Sequence, residues 1–137
     1  KRRVAVAGVI AMRPEVLILD EPTAGLDPEG KRELLSLLAD IRRTTCPTMI
    51  MVSHDMDEVA ENCDRVAVLG DGKVLGVFTP GELFTRRELI KSLGLELPAA
   101  TELASCLASR GVPVRGDCLT ESELLGELIE AYAGGER

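Results

Sequence analysis

Hydrophobic positions along the first half of the chain fall into short unbroken runs and one periodic stretch. Val16 to Leu19 is four apolar residues without alternation, and Thr48-Met49-Ile50-Met51-Val52 is nearly the same. Runs of this length predict strands covered on both faces, as in a parallel sheet. Leu34, Leu37, Leu38 and Ile41 recur at helical spacing, with Lys31, Arg32, Glu33, Asp40, Arg42 and Arg43 largely opposite them, so a scaffold helix is expected between the two strands. Asp27 stands where an N-cap belongs, and Pro28 fills the first turn, where its missing N–H costs nothing. Ahead of the first strand, Val4 to Met12 is nearly all apolar with small residues among them, which predicts a mostly buried helix ended before Pro14. The preceding Lys1-Arg2-Arg3 reads as a solvated helix start.

After the second strand the pattern shortens. Asp55 and Glu58 have capping-box spacing for a helix to about Asn62 that buries Met56, Val59 and Ala60. Arg65–Leu69 and Val74–Phe78 flank Gly70-Asp71-Gly72-Lys73, whose glycines suit a hairpin turn. Thr79-Pro80-Gly81-Glu82 opens another short helix by the same capping logic. From Thr85 on the chain becomes helical segments separated by Gly and Pro. Thr85 with Glu88, and Thr120 with Glu123, are capping-box pairs, and Gly94, Gly111 and Gly134 are stops. Leu103, Cys106 and Leu107, then Leu124, Leu125, Leu128 and Ile129, form stripes that suit either a small helical core or a partner face. No internal repeat or low-complexity tract interrupts the pattern.

Composition narrows the function. The 137 residues are 45% hydrophobic, enough for a core, and the net charge of −7 gives no electrostatic footprint for nucleic acid or anionic lipid. Aromatics are only 2%, so the core is aliphatic and platforms for base stacking are lacking. Cys46, Cys63, Cys106 and Cys118 are widely spaced and accompanied by one histidine, a pattern of buried free thiols in a reducing compartment rather than of a zinc or disulfide framework. No run reaches bilayer-spanning length, so any membrane role is expected to come through a partner.

The chemistry gathers where the strands end. Asp20 and Glu21 follow the first strand directly, in the position where ligands bind in open α/β folds, and Pro22 then turns the chain off the ladder. Two adjacent acids repel each other unless a cation offsets them. Magnesium with a polyphosphate does so, because it takes one or two carboxylates and completes its shell with water and phosphate oxygens; a merely solvated strand end is the plainer alternative. Ser53-His54-Asp55 follows the second strand in the same way. A lone histidine is more often structural than catalytic, but this one would share a crevice with Glu21 if the strands are neighbours.

Leu-Ile-Leu-Asp-Glu-Pro-Thr-Ala-Gly-Leu-Asp-Pro, residues 17 to 28, resembles the Walker B and D-loop segment of ABC-type ATPases. The resemblance implies that Asp20 supports magnesium, through water, that Glu21 polarises the attacking water, and that Asp27 faces the opposite subunit of a dimer. Strand followed by Ser-His-Asp is the same family's switch pattern, which implies that His54 contacts the γ-phosphate of ATP. Neither the family's Leu-Ser-Gly-Gly-Gln signature nor a Gly-x-x-x-x-Gly-Lys-Ser/Thr phosphate loop occurs in these 137 residues. The chain therefore looks like the carboxyl-terminal part of such an ATPase, starting just after its signature.

The tail, with Gly94-Leu95-Glu96-Leu97-Pro98, Leu103, Leu107, Arg110-Gly111 and Leu119-Thr120-Glu121, resembles the extension of energy-coupling-factor importer ATPases, including the cobalt and nickel type. The expected fold is α/β: a partial P-loop NTPase sheet with helices over residues 1–84, and a small helical extension over 85–137 with a dimerisation or regulatory role. The parent protein is expected to hydrolyse ATP with Mg2+ and to energise an importer of a metal ion such as cobalt or nickel, or of a vitamin. The resemblance implies a second ATPase subunit, identical or not, and transmembrane subunits that hold it at the cytoplasmic face of the membrane. No nucleic acid and no direct membrane insertion are expected. The isolated chain should be inactive. Two alternatives stand beside this reading: a non-catalytic fragment acting through association of its tail, and a soluble ABC ATPase.

Overall fold

The structure, a computed structural model, describes residues 2–133. It is α/β, as the runs predict. Its order is α1 (Arg2–Ile10), β1 (Val16–Asp20), α2 (Pro28–Thr44), β2 (Thr48–Val52), α3 (Met56–Asn62), β3 (Val66–Gly70), β4 (Lys73–Phe78), α4 (Pro80–Phe84), α5 (Arg87–Ser92), α6 (Ala99–Ser109) and α7 (Glu121–Ala133). Two compact units divide the chain, Lys1–His54 and Asp55–Arg137. Among the described residues no helix is long and apolar enough to cross a membrane.

In the first unit β1 and β2 pair in parallel, in a register that sets Ile18 against Ile50 and Asp20 against Val52. α2 is the crossover between them and buries Leu34, Leu38 and Ile41 against Leu17 and Cys46. Leu37, expected on that face, lies at its margin and is partly exposed. The strands are not covered on both faces. Leu17 is 3% exposed on the helix side, whereas Ile18 is 67% and Ile50 50% exposed on the other. The apolar run states what the outer face is made of, and among the described residues no layer covers it. α1 departs from expectation for a similar reason. Only Val6 and Ile10 reach the cluster, and Val4 and Met12 stand in solvent, so the helix is mostly exposed rather than mostly buried.

In the second unit β3 and β4 form the expected antiparallel hairpin, turned at Asp71 and Gly72, both at positive φ. Met56, Val59, Val68, Leu83, Phe84 and Ile90 make its core, with Leu93, Leu95, Leu97 and Leu119 packed around them. One cluster thus takes residues from either side of position 85. α4 carries a complete capping box: Thr79 Oγ1 accepts from Glu82 N while the Glu82 carboxylate accepts from Thr79 N. The pair at Thr85 and Glu88 does not form. The Thr85 hydroxyl donates back to the Glu82 carbonyl at 2.8 Å, and Arg86 takes the N-cap position of α5 without a side-chain bond. Thr120 does cap α7 by accepting from Glu123 N, while Glu123 itself accepts from Leu119 N. α5 and α6 stop as predicted at Gly94 and Gly111, each at positive φ, with the N–H beyond the glycine returned to Ile90 O and Leu107 O respectively. Gly134, the third expected stop, and Lys1 lie outside the described residues.

Candidate functional site at the strand ends

Parallel pairing in register brings the carboxyl ends of β1 and β2 side by side, and the residues that leave them carry the chemistry. Glu21 N donates to Val52 O at 2.9 Å, which extends the ladder one residue past Asp20. Ser53 and His54 then leave β2 beside it. His54 Nδ1 and Glu21 Oε1 are 2.6 Å apart. An ionised carboxylate only accepts, so the imidazole donates from Nδ1. The histidine side chain is 78% exposed and the glutamate 34%, so the pair opens to solvent from a partly sheltered base.

Glu21 reaches this position at a local cost. Its φ is +44°, left-handed for a residue with a Cβ, and the following Pro22 disfavours the ordinary helical alternative. Such a conformation costs on the order of 1–3 kcal/mol and persists only where neighbours hold it. The Val52 carbonyl, which accepts from Glu21 N, is such a neighbour. Past Pro22 the chain turns at Thr23 to Leu26, closed by Leu26 N donating to Thr23 O at 3.0 Å, with Gly25 at φ +72° supplying the positive φ this turn needs.

Asp27 then starts α2. It occupies the N-cap position with Pro28 in the first turn, but its side chain makes no capping bond. Its carboxylate leans over the first turn so closely that a Cβ at Gly30 would lie 2.7 Å from Asp27 Oδ1. The structure therefore joins Glu21 to His54 and leaves Asp20 and Asp27 apart. Asp20 is exposed, and its carboxylate makes no hydrogen bond or ion pair with the described residues. The backbone carbonyl of Val52, which fixes Glu21, escaped sequence reasoning because a carbonyl leaves no trace in residue type.

Among the described residues no group of three or more His, Cys, Asp or Glu could hold a metal ion by itself. The donors present are one exposed carboxylate, Asp20, beside a second already engaged by His54. That set suits magnesium arriving with a polyphosphate, whose oxygens and waters supply the remaining ligands. It does not suit a resident ion caged by protein.

No protein-family model matches the chain. Individual proteins do. The chain is 45% identical over 136 residues to an energy-coupling factor transporter ATP-binding protein EcfA2 of Lacticaseibacillus paracasei, covering 99% of this chain and 47% of that protein. It is 50% identical over 133 residues to EcfA2 of Symbiobacterium thermophilum, covering 97% and 46%. With EcfA1 of Caldanaerobacter subterraneus subsp. tengcongensis it shares 46% identity over 125 residues, 91% of this chain and 45% of that one. A solved structure, cbiO1 from Clostridium perfringens, part of the ABC transporter complex cbiONQ, is similar with a TM-score of 0.56 and 47% identity, over 66% of this chain and 36% of that one. The chain spans about half the length of the curated relatives it matches.

Identity at this level along nearly the whole chain places it in the class of ABC-type ATP-binding proteins. Within that class, over the half of their length that it spans, it belongs with the energy-coupling factor transporter ATP-binding proteins.

Proposed function

We propose that the chain is part of an ATP-hydrolysing subunit that energises a membrane importer, with Glu21 and His54 as its hydrolytic pair. The observation that carries this reading is the 2.6 Å contact between His54 Nδ1 and Glu21 Oε1 at the carboxyl ends of two parallel strands. Glu21 is the general base. One of its oxygens is oriented by the imidazole, and the other, which makes no hydrogen bond with the described residues, accepts the proton of the attacking water. His54 is also the residue that contacts the γ-phosphate. Asp20 would hold magnesium through water, and the ion, bound with ATP, would supply neutralisation of phosphate charge in a transfer dominated by positioning and electrostatics. Asp27 couples the two sites of an ATPase dimer, homomeric or heteromeric.

The subunit works at the cytoplasmic face of the cell membrane, held there by transmembrane partners. Those partners choose the cargo, a metal ion such as cobalt or nickel, or a vitamin; the importer-like tail supports this class. Residues 1–84 are the catalytic part and residues 85–137 the extension that serves dimerisation or regulation. A specific observation favours association through the tail: Leu125, Ile129 and Tyr132 line one face of α7 and are 59%, 58% and 72% exposed. The isolated chain, without phosphate loop or signature, is inactive in this reading. Steady-state hydrolysis by the full-length protein that contains this chain, with and without magnesium, tests the proposal. Magnesium-dependent turnover that Glu21→Gln abolishes supports it. Undiminished turnover in that variant contradicts it.

A further inference from the structure

α6 starts without a cap of its own. Its N-cap is Pro98, whose side chain offers no acceptor, yet the first N–H groups of a helix have no partner within it. Ala99 N is met instead by Asp57 Oδ1 at 2.9 Å, a carboxylate from α3, 42 residues earlier. An anion at a helix N-terminus is also favoured by the helix dipole. Asp57 is the second residue of α3, and α3 begins immediately after His54: its N-cap is Asp55, whose side chain accepts from Glu58 N at 3.1 Å. The division between the two compact units falls between His54 and Asp55.

α3 has little freedom. Met56 and Val59 are buried in the cluster on whose margin lie Leu93, Leu95 and Leu97, the segment that leads into α6. α6 is in turn joined to α7 through Ala104, Cys118 and Leu124, and Arg115 Nε donates to Glu127 Oε1 at 2.5 Å to pin the intervening loop on α7. One short helix thus carries the peptide that leaves His54 at its start and the carboxylate that fixes α6 in its first turn.

We propose that Asp57 is a positioning residue that couples helices α6 and α7 to His54, so that a partner or ligand that moves those helices alters hydrolysis through the start of α3. The proposal rests on the reading of His54 given above. Its contact with Ala99 does not.

Three variants of the full-length protein containing this chain test it: Asp57→Ala, Asp57→Asn, which keeps an acceptor oxygen, and Asp57→Ala with Pro98→Ser, which gives α6 a local cap. Asp57 is exposed, so the single variants should fold. Hydrogen exchange at the Ala99 amide and the kcat and KM for ATP are the readouts. In Asp57→Ala the amide should exchange about fivefold faster and kcat should fall about fivefold at unchanged KM, the scale of one hydrogen bond. Asp57→Asn should stay near wild type in both. The double variant should steady the first turn of α6 through a bond from the N–H of Ala100 or Thr101, read as protection at those amides, while kcat stays low, because a local cap is not tied to α3. Recovery of kcat together with protection would show that Asp57 merely stabilises α6, and would overturn the coupling. Unchanged kcat in Asp57→Ala beside a crippled His54→Ala overturns the coupling alone. Normal hydrolysis by His54→Ala overturns the reading of His54 and the coupling with it.

Discussion

Glu21 illustrates how a residue's type and its conformation carry separate information. That an acid follows an apolar run could be read from the sequence, and so could the histidine at the next strand's end. Their contact could not be, because it needs the strands adjacent, parallel and in register. Asp27 shows the limit in the other direction. Its type and its place before Pro28 predict a side-chain cap, yet the backbone alone holds the N-cap position. Asp57 was silent for a plainer reason: its partner N–H lies 42 residues away. His54→Ala in the full-length protein should lower kcat by about 10²-fold or more, the scale of acid–base assistance, with little change in Tm. The side chain is 78% exposed, and substitutions at such positions usually change stability by less than about 0.5 kcal/mol. Thermal melts beside turnover decide the matter: a sharply lower Tm with turnover retained would make the histidine a packing residue.

Elements were legible wherever the signal was local. The hairpin turn, the Thr79 capping box and the glycine stops at Gly94 and Gly111 all depend on residues within a few positions of one another, and all formed as read. Burial is not local. β1 and α1 are apolar enough to be covered, but a covering layer is a property of the molecule, and Ile18 and Val4 remain exposed. The Thr85 pair failed because Thr85 ends α4 with helical backbone, φ −71° and ψ −20°, rather than the extended backbone an N-cap needs, and the N-cap of α5 falls to Arg86. At the end of the chain, the bond from Arg115 holds the Glu127 carboxyl below its ordinary value of 4.5. A depressed folded value means that this contribution to stability is complete above pH 4.5 and is lost as pH falls through the lower folded value. Glu82 is held low in the same way by its bonds from Thr79. Glu127→Gln should therefore flatten, without abolishing, the acid loss of stability seen in hydrogen exchange along α7. An unchanged acid profile would mean that the Arg115 bond does not form in solution.

At the scale of the molecule, 137 residues stand for about half of each curated relative, and the open face of the β1–β2 pair is apolar. The fold class was legible because two strand runs and the helix between them suffice for a parallel α/β unit. The packing of positions 55–84 with residues beyond 85 was not, since Leu95, Leu97 and Leu119 join their cluster only in three dimensions. The chain alone should neither hydrolyse ATP nor bind it at micromolar concentration, because Asp20 and Glu21 without a phosphate loop present an anionic mouth. It should still self-associate through α7. Sedimentation of the chain and of Ile129→Glu, with calorimetry of ATP binding, checks both statements: micromolar binding contradicts the first, and a monomer at high concentration the second. The most direct measurement is single-turnover hydrolysis by the full-length protein carrying Glu21→Gln, which removes the carboxylate proposed as the base and keeps Asp20, the one proposed for magnesium. ATP should bind, the dimer should close and remain closed, and the rate should fall by about 10²- to 10⁴-fold. Single-turnover hydrolysis at the wild-type rate would contradict the assignment of Glu21 as the base.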